Sequence, residues 1–199
     1  MLLALTLTAT AQGQAPALLI MGDSISAAYG MELGQGWVGL LKKRLELTHP
    51  NWKVINGSIS GETTAGGLRR LPALMATHHP TIVLIELGGN DGLRGYPIAQ
   101  LQNNLQALVQ AAEASGAKAL IAEMEIPPNF GSRYTTLFRE SFATVAGKTN
   151  AALIPFMLAD IATNPSLMQA DGIHPTQQAQ STILDNVWPY LEQALEAPY

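Results

Sequence analysis

Ser24, Asp171 and His174 are the residues of this sequence whose chemistry is most distinctive. Ser24 follows an apolar run, and Asp171 and His174 lie three residues apart in a turn that Gly172 and Pro175 favour. A serine becomes a nucleophile when a base takes its proton, and the base needs a partner that fixes its tautomer and stabilises its cation. We predict that Ser24 is the nucleophile, His174 the base and Asp171 its orienting acid.

Hydrogen-bond donors beside the nucleophile would complete such a site, because the carbonyl oxygen becomes an anion during attack. We expect Ser24 at the start of the first helix, with its backbone N–H pointing at this oxyanion. The backbone N–H of Gly61 and the side-chain amide of Asn90 are the other predicted donors. Asp23 and Asp91 are expected to be structural, through hydrogen bonds to loop backbone.

The elements that must position these residues alternate along the chain. The chain has five apolar runs of strand length. Within each run, apolar and polar residues hardly alternate, which is typical of parallel strands buried on both faces. Helical patterns lie between them, so the sequence predicts a parallel sheet covered by helices on both faces. Pro189 is expected to kink or interrupt the last helix. The strand runs are residues 17–21, 52–55, 81–87, 118–124 and 151–154, and the helical patterns are 37–47, 100–115 and 176–195.

Functional groups of a parallel sheet collect at the edge where the strands end. The predicted site residues all follow such strand ends, so we expect five loops to meet on one rim. Apolar residues of these loops are predicted to cradle an acyl chain, with simple packing as their alternative role. They are Leu93, Tyr96, Ile126, Pro127, Pro128, Phe130, Met157 and Leu158.

Length and composition limit the function classes further. The 199 residues suit one domain, predicted over residues 12–199, that buries roughly 70% of its unfolded surface. Charged residues make up only 13%, and the net charge of −4 would repel a phosphate backbone, so no nucleic-acid partner is expected. Cysteine is absent, which excludes disulfides and thiolate metal sites. We expect no metal, no cofactor and a monomer.

Residues 1–11 form a short apolar run that ends in Ala9-Thr10-Ala11, a small-residue pattern typical of signal cleavage sites. No Lys or Arg precedes Lys42, so the basic opening of a signal segment is missing, which favours a truncated start. We predict export to the periplasm or the medium, and a cytoplasmic protein if this segment is not a signal. No later apolar run reaches the roughly 18 to 20 residues of a membrane helix, so no membrane span is expected.

Two other motifs carry little weight. Residues 34–39 match the G-x-G-x-x-G spacing, but no good strand precedes them and no acidic residue follows at the required distance. His78 and His79 are consecutive, so their side chains would point apart, which is awkward for one metal ion. We expect them at a helix end, where they soften the helix dipole.

The candidate residues resemble the conserved blocks of the SGNH hydrolases, also called GDSL esterases and lipases. Residues 22–26 resemble the first block, with Ile25 where the family usually has Leu. Gly61 matches the second block, residues 88–91 the third, and residues 171–174 the fifth. The resemblance covers nearly the whole chain and implies a three-layer α/β/α sandwich with a five-stranded, flavodoxin-like parallel sheet.

The resemblance also implies an activity. It is strongest to the bacterial periplasmic thioesterases that act as arylesterases and lysophospholipases, which implies a serine esterase acting on aryl esters, acyl-CoA or lysophospholipids. Ser24, Asp171 and His174 would be catalytic, and Ser24, Gly61 and Asn90 would form the oxyanion hole, without a cofactor. Two alternatives remain open: a carbohydrate acetylesterase of the same family, which would need a more polar rim, and a noncatalytic binding module.

Overall fold

The computed structural model describes residues 15–197, in which at least one helix lies between each pair of successive strands. The predicted signal segment, residues 1–11, lies outside the described residues. The strands are β1 Ala17–Gly22, β2 Lys53–Asn56, β3 Ile82–Glu86, β4 Lys118–Ala122 and β5 Ala152–Ile154. The helices are α1 Trp37–Thr48, α2 Thr64–His78, α3 Gly89–Leu93, α4 Ile98–Ala114, α5 Ser132–Ala146 and α6 Gln180–Glu196.

The five strands form one sheet in the order β2-β1-β3-β4-β5, and every neighbouring pair is parallel. This is the flavodoxin-like order, in which ligands bind where the strand order reverses, beside β1. Gly22 at the end of β1 pairs with Glu86 at the end of β3. The loops after these two central strands therefore start side by side.

Two apolar cores lie on opposite faces of the sheet, because alternate residues of a strand point to opposite sides. Leu18 and Ile20 of β1 pack with α1 and α6, whereas Leu19 and Met21 pack with α2, α4 and α5. All six residues of β1 are buried. The predicted α/β/α sandwich with a parallel five-stranded sheet is therefore confirmed.

The helices differ from expectation in two places. Ser24 does not begin a helix: it lies in a series of turns after β1, and α1 starts only at Trp37. Pro189 does not interrupt α6, which continues through it, and residues on both sides of it, such as Val187 and Leu191, are fully buried. That burial outweighs the roughly 3 kcal/mol that an internal proline costs. Within residues 15–197, none of the helices has the length and apolar content needed to cross a bilayer.

Candidate active site

The Ser24, His174 and Asp171 side chains form one chain of hydrogen bonds, although Ser24 and His174 are 150 residues apart in sequence. The distance from Ser24 Oγ to His174 Nε2 is 2.9 Å, and that from His174 Nδ1 to Asp171 Oδ2 is 2.7 Å. An ionised carboxylate only accepts, so Nδ1 carries the proton and Nε2 is free to accept from the Ser24 hydroxyl. This is the tautomer that a general base for Ser24 requires.

The Asp171 carboxylate is held in its ionised form by the loop around it. Partial burial opposes ionisation, but hydrogen bonds from the backbone and ring of His174 and the backbone of Ile173 lower the pKa of Asp171 to about 2. Asp171 Oδ1 accepts both backbone N–H groups, at 2.9 Å from Ile173 and 3.0 Å from His174. The negative charge beside Nδ1 is therefore present at any pH near neutrality.

The loop that carries Asp171 and His174 is tied to the turn that carries Ser24. Gly172 has a φ of +66°, a left-handed conformation that glycine adopts without strain. Gln169 closes the loop by donating its backbone N–H to the His174 carbonyl at 2.7 Å. Its side-chain amide donates to the Tyr29 carbonyl at 3.0 Å, and this contact joins the two segments.

Tyr29 makes a contact with His174 that no pattern in the sequence indicates. Its ring stacks on the His174 imidazole with the centroids 4.1 Å apart and an interplanar angle of 29°. Tyr29 is about half exposed, and neither a motif nor a spacing marks it in the sequence. The stack covers one face of the imidazole and restricts its rotation.

The turn after β1 fixes the position of Ser24 through its neighbours. Asp23 Oδ1 accepts the backbone N–H of Ile25 at 3.0 Å, and the Asp23 carbonyl accepts that of Ala27 at 2.9 Å. A Cβ atom at Gly22 would lie 2.4 Å from Glu86 Oε2, so only glycine fits at the end of this strand. The backbone therefore turns sharply and presents Ser24 at the carboxyl edge of the sheet.

The other two predicted oxyanion donors both follow strands that end at this edge, but of the two only Asn90 lines the cavity beside Ser24. Asn90, in α3 after β3, donates one amide hydrogen to Asp23 Oδ2 at 3.2 Å, and the amide lines the same cavity as Ser24. A primary amide has two hydrogens, so a second one remains for a ligand. Gly61, after β2, has a φ of +77°, and its carbonyl accepts from Arg94 Nη2 at 3.1 Å.

Asp91, next to Asn90, has the structural role expected of it. Its two carboxylate oxygens accept from the backbone N–H of Thr64 at 2.9 Å and from the Thr64 hydroxyl at 2.5 Å. These bonds satisfy the first residue of α2 and hold that helix against α3. Both carboxylate oxygens of Asp91 are therefore used in packing α2 against α3.

A cavity of about 510 Å³ opens beside Ser24 and His174, a size typical of small-ligand sites. Six of the residues predicted to cradle an acyl chain line it: Leu93, Ile126, Pro127, Pro128, Met157 and Leu158. Tyr96 and Phe130 do not: the carbonyl of Tyr96 accepts from Tyr134, and Phe130 packs against a core cluster. Further apolar lining residues, which were not predicted, include Met124, Phe156 and Met168.

The charged side chains that line this cavity are acidic apart from His174, and Arg139 approaches Glu125 from outside the lining at 3.8 Å. Glu123 and Glu125 line it together with Asp171, and no Lys or Arg of the described chain does so. Burial, and then the charge of Glu125, raises the pKa of Glu123. Within residues 15–197, no group of three or more His, Asp or Glu side chains is arranged to hold a metal ion.

Comparisons with known proteins agree with this geometry. Residues 20–181 match the sequence model of the GDSL-like lipase/acylhydrolase family. The chain belongs to this family. Its relatives include esterase TesA of Pseudomonas aeruginosa, which is 52% identical over 94% of this chain and 92% of TesA. Thioesterase 1/protease 1/lysophospholipase L1 of Escherichia coli is 41% identical over 86% of this chain and 81% of that protein.

A solved structure extends the comparison to three dimensions. The psychrotrophic esterase EstA of a Pseudoalteromonas species, inhibited by monoethylphosphonate, aligns with a TM-score of 0.87 and 45% identity. The alignment covers 91% of this chain and 99% of EstA. As a GDSL-like acylhydrolase, this protein is a serine esterase of the SGNH type. The prediction of an enzyme is therefore confirmed, and the alternative of a noncatalytic module is set aside.

Proposed function

We propose that the protein hydrolyses acyl esters in two steps through an acyl-enzyme on Ser24. Ser24 Oγ attacks the carbonyl carbon while its proton moves to His174 Nε2, and the resulting imidazolium then protonates the leaving oxygen or sulfur. Water attacks the acyl-enzyme with His174 again as base, and the proton returns to Ser24 as the acid is released. The observation that carries this proposal is the continuous hydrogen-bond chain from Ser24 through His174 to Asp171.

The oxyanion hole consists, in this proposal, of the backbone N–H groups of Ser24 and Gly61 and the side-chain amide of Asn90. The free amide hydrogen of Asn90, on the cavity that Ser24 also lines, supports its role. Preorganised donors of this kind stabilise the charge that develops only in the transition state. Each is expected to contribute about 100- to 1,000-fold to the rate.

For the substrate, we propose carboxylic esters with an apolar acyl chain and an uncharged or zwitterionic leaving group, such as aryl esters and lysophospholipids. The apolar lining supports the acyl chain, and the carboxylates of Glu123 and Glu125 would repel the phosphates of acyl-CoA. Acyl-CoA thioesters are therefore expected to be poorer substrates. An acetylated carbohydrate would need polar groups where Ile126, Phe156 and Met157 now line the cavity.

Labelling with a fluorophosphonate tests the proposed nucleophile. The reagent should modify the enzyme once, and peptide mass spectrometry should locate the phosphonyl group on Ser24. Ser24→Ala should abolish labelling and turnover, whereas Ser60→Ala, at an exposed serine beside Gly61, should change neither. Undiminished turnover of Ser24→Ala would refute the mechanism.

A substrate series separates the proposed substrate class from the alternatives. We would compare kcat/KM for p-nitrophenyl esters, lysophosphatidylcholines, acyl-CoA thioesters and acetylated sugars, with matched chain lengths where the class allows. Aryl and lipid esters of medium chains should be preferred at low ionic strength. A preference for acetylated sugars would establish the carbohydrate acetylesterase instead, and a preference for acyl-CoA would refute the electrostatic argument.

The N-terminal segment bears on where in the cell the enzyme works. We propose that residues 1–11 direct export, since an apolar run followed by Ala9-Thr10-Ala11 is typical of a signal segment. Expression of the full chain followed by osmotic-shock fractionation should release the activity with periplasmic markers. Activity that stays with cytoplasmic markers would refute export.

A further inference from the structure

A pair of buried carboxyl groups, Asp23 and Glu86, lies beneath the site and takes no part in the steps above. Asp23, which is 3% exposed, directly follows β1. Glu86, which is fully buried, is the last residue of the adjacent strand β3. Neither forms an ion pair with a Lys or Arg anywhere in residues 15–197. Two buried carboxylates without a cation cannot both be ionised at acceptable cost, so the pair must hold a proton.

The contacts of Asp23 show that this group must accept hydrogen bonds. Its Oδ1 accepts the backbone N–H of Ile25 at 3.0 Å, and its Oδ2 accepts the side-chain amide of Asn90 at 3.2 Å. An amide nitrogen can only donate. The ionised form of Asp23 therefore suits both contacts.

The contacts of Glu86 leave room for the proton. Its Oε2 accepts from the Ser26 hydroxyl at 2.6 Å and from the backbone N–H of Asp23 at 3.2 Å. Trp37 Nε1 donates to Ser26 Oγ at 3.2 Å, which leaves the Ser26 hydroxyl hydrogen to point at Glu86. The second oxygen, Oε1, is buried, and no N–H or O–H group of a described residue donates to it, while the side chains of Glu86 and Asp23 are within hydrogen-bonding reach of each other. A bare carboxylate oxygen is costly to bury, whereas a protonated one becomes a donor.

We propose that Glu86 is a positioning residue that stays protonated at neutral pH and donates to the Asp23 carboxylate, which in turn holds the Asn90 amide toward the oxyanion. Glu86 would thus act on the reaction through two other side chains and touch no substrate. The inference rests on the proposed role of Asn90 in the oxyanion hole.

The electrostatics of the pair agree with this assignment. Burial, and then the charge of Asp23, raises the pKa of Glu86 well above its usual value. Burial also raises the pKa of Asp23, to about 6, but hydrogen bonds from Ile25, Glu86 and Asn90 and the charge of His174 oppose the increase. Both pKa values are raised, so the pair holds a proton near neutral pH, and the contacts described above place that proton on Glu86.

Two substitutions at Glu86 distinguish a requirement for a hydrogen-bond donor at this position from a requirement for a negative charge. Glu86→Leu removes the donor and should lower kcat for a p-nitrophenyl ester about 10- to 100-fold with little change in KM, because Asn90 loses its orientation. Glu86→Gln replaces the acid O–H by an amide N–H and should restore kcat to within about threefold. If Gln fails as badly as Leu, a charged Glu86 is required and the proposal is wrong. It is equally wrong if Leu leaves kcat unchanged.

Loss of stability alone must not be mistaken for this effect. Leu84→Ala is a matched control, since Leu84 is fully buried two residues earlier on the same face of β3. It should lower the melting temperature while leaving kcat unchanged at temperatures where the protein is folded. A double-mutant cycle adds a second test: in an Asn90→Ala background, Glu86→Leu should cost less than about threefold. Additive losses would show that Glu86 does not act through Asn90.

A spectroscopic test does not depend on turnover. At pH 7, infrared difference spectra between Ser24→Ala and Ser24→Ala/Glu86→Gln should show the C=O stretch of a buried protonated carboxyl group, lost in the double variant. The absence of that band would overturn the proposal even if Ser24 proves to be the nucleophile. Its presence would stand even if the proposed mechanism failed, so the two claims can fail separately.

Discussion

Each of the two ring nitrogens of His174 has its own hydrogen-bond partner. Nδ1 is bound by the Asp171 carboxylate at 2.7 Å, and Nε2 meets the Ser24 hydroxyl at 2.9 Å. Each contact determines what the other nitrogen can do, because a neutral imidazole has one donor and one acceptor. The residue type at position 171 therefore controls the basicity presented to Ser24.

Asp171→Asn should reverse that assignment. The amide can donate to Nδ1, which would move the ring proton to Nε2 and leave no acceptor for the Ser24 hydroxyl. We expect kcat to fall about 10,000-fold at neutral pH with KM nearly unchanged, by analogy with other serine triads. Because the pKa of Asp171 is about 2, lowering the pH to 4 should not mimic this variant by protonating Asp171. A loss below about tenfold, measured by steady-state kinetics, would contradict the assigned tautomer.

The stacking of Tyr29 on His174 can be tested with one disruptive and one conservative substitution. Tyr29→Ala should lower kcat/KM about three- to tenfold, since an aromatic pair contributes roughly 0.5–1.5 kcal/mol and here it orients the imidazole. Tyr29→Phe keeps the ring and should leave kcat/KM within about twofold. Equal losses in both variants would place the effect in the hydroxyl group and not in the stack.

A substitution of Glu125 tests whether the negative charge of the cavity disfavours anionic substrates. Glu125→Gln removes a charge that repels polyanionic leaving groups, so kcat/KM for acyl-CoA should rise about two- to fivefold at low salt. The value for an uncharged aryl ester should not change. Glu140→Gln, at an exposed position of α5 that does not line the cavity, is the matched control. An equal gain in the control would mean that net charge alone matters.

At the scale of elements, the end of β1 is a tightly constrained segment. A Cβ atom at Gly22 would approach Glu86 Oε2 to 2.4 Å and the Ser26 Cβ to 2.7 Å. Gly22→Ala should therefore destabilise the protein by about 1–3 kcal/mol in urea unfolding and reduce activity by displacing Ser24. Gly34→Ala, where no heavy atom of the described chain lies within 4 Å of the added methyl group, should be close to neutral. Equal effects would argue against the tight turn.

Much of this architecture could be predicted because it depends on local patterns. The apolar runs marked all five strands to within about two residues, and the strand endings marked the residues that meet at the edge. The long-range meeting of Ser24 with His174 followed from the rule that parallel strands share one carboxyl edge. These inferences need only periodicity and topology.

The remaining features depend on tertiary contacts that no local pattern encodes. The stacking of Tyr29 on His174 joins segments 145 residues apart, and its only local trace is an aromatic residue in a loop. Ser24 was expected at a helix start, but its turn is shaped by Asp23 and Glu86, whose pairing is set by sheet register. Phe156 and Met168 line the cavity, whereas Tyr96 and Phe130 do not, because side-chain direction in loops follows three-dimensional packing.

At the scale of the whole molecule, the buried carboxyl groups set the dependence of stability on pH. Asp23 has a folded pKa of about 6 against a usual value of 3.8, so between these values the folded state binds more protons than the unfolded state. Stability therefore falls as the pH rises through this window, by about 3 kcal/mol for a shift of this size. Glu86 acts in the same direction.

Asp171 acts in the opposite sense at lower pH. Its folded pKa of about 2 lies below its usual 3.8, so its contribution is present above about pH 4 and is lost as the pH falls toward 2. We expect the free energy of unfolding, from urea titrations, to be highest near pH 4–5 and lower at pH 7. Asp23→Asn should flatten the decline between pH 5 and 7. A wild-type protein that becomes more stable over that interval would contradict the burial of these groups.

The central claim is that the acyl group passes through Ser24, and an acyl-enzyme trapped during turnover tests it most directly. A p-nitrophenyl ester mixed with the enzyme and acid-quenched within milliseconds should give a protein heavier by one acyl group, with the added mass on the Ser24 peptide. In His174→Ala this species should form far more slowly. Full turnover without any acylated protein, or acylation at another residue that persists in Ser24→Ala, would contradict the claim.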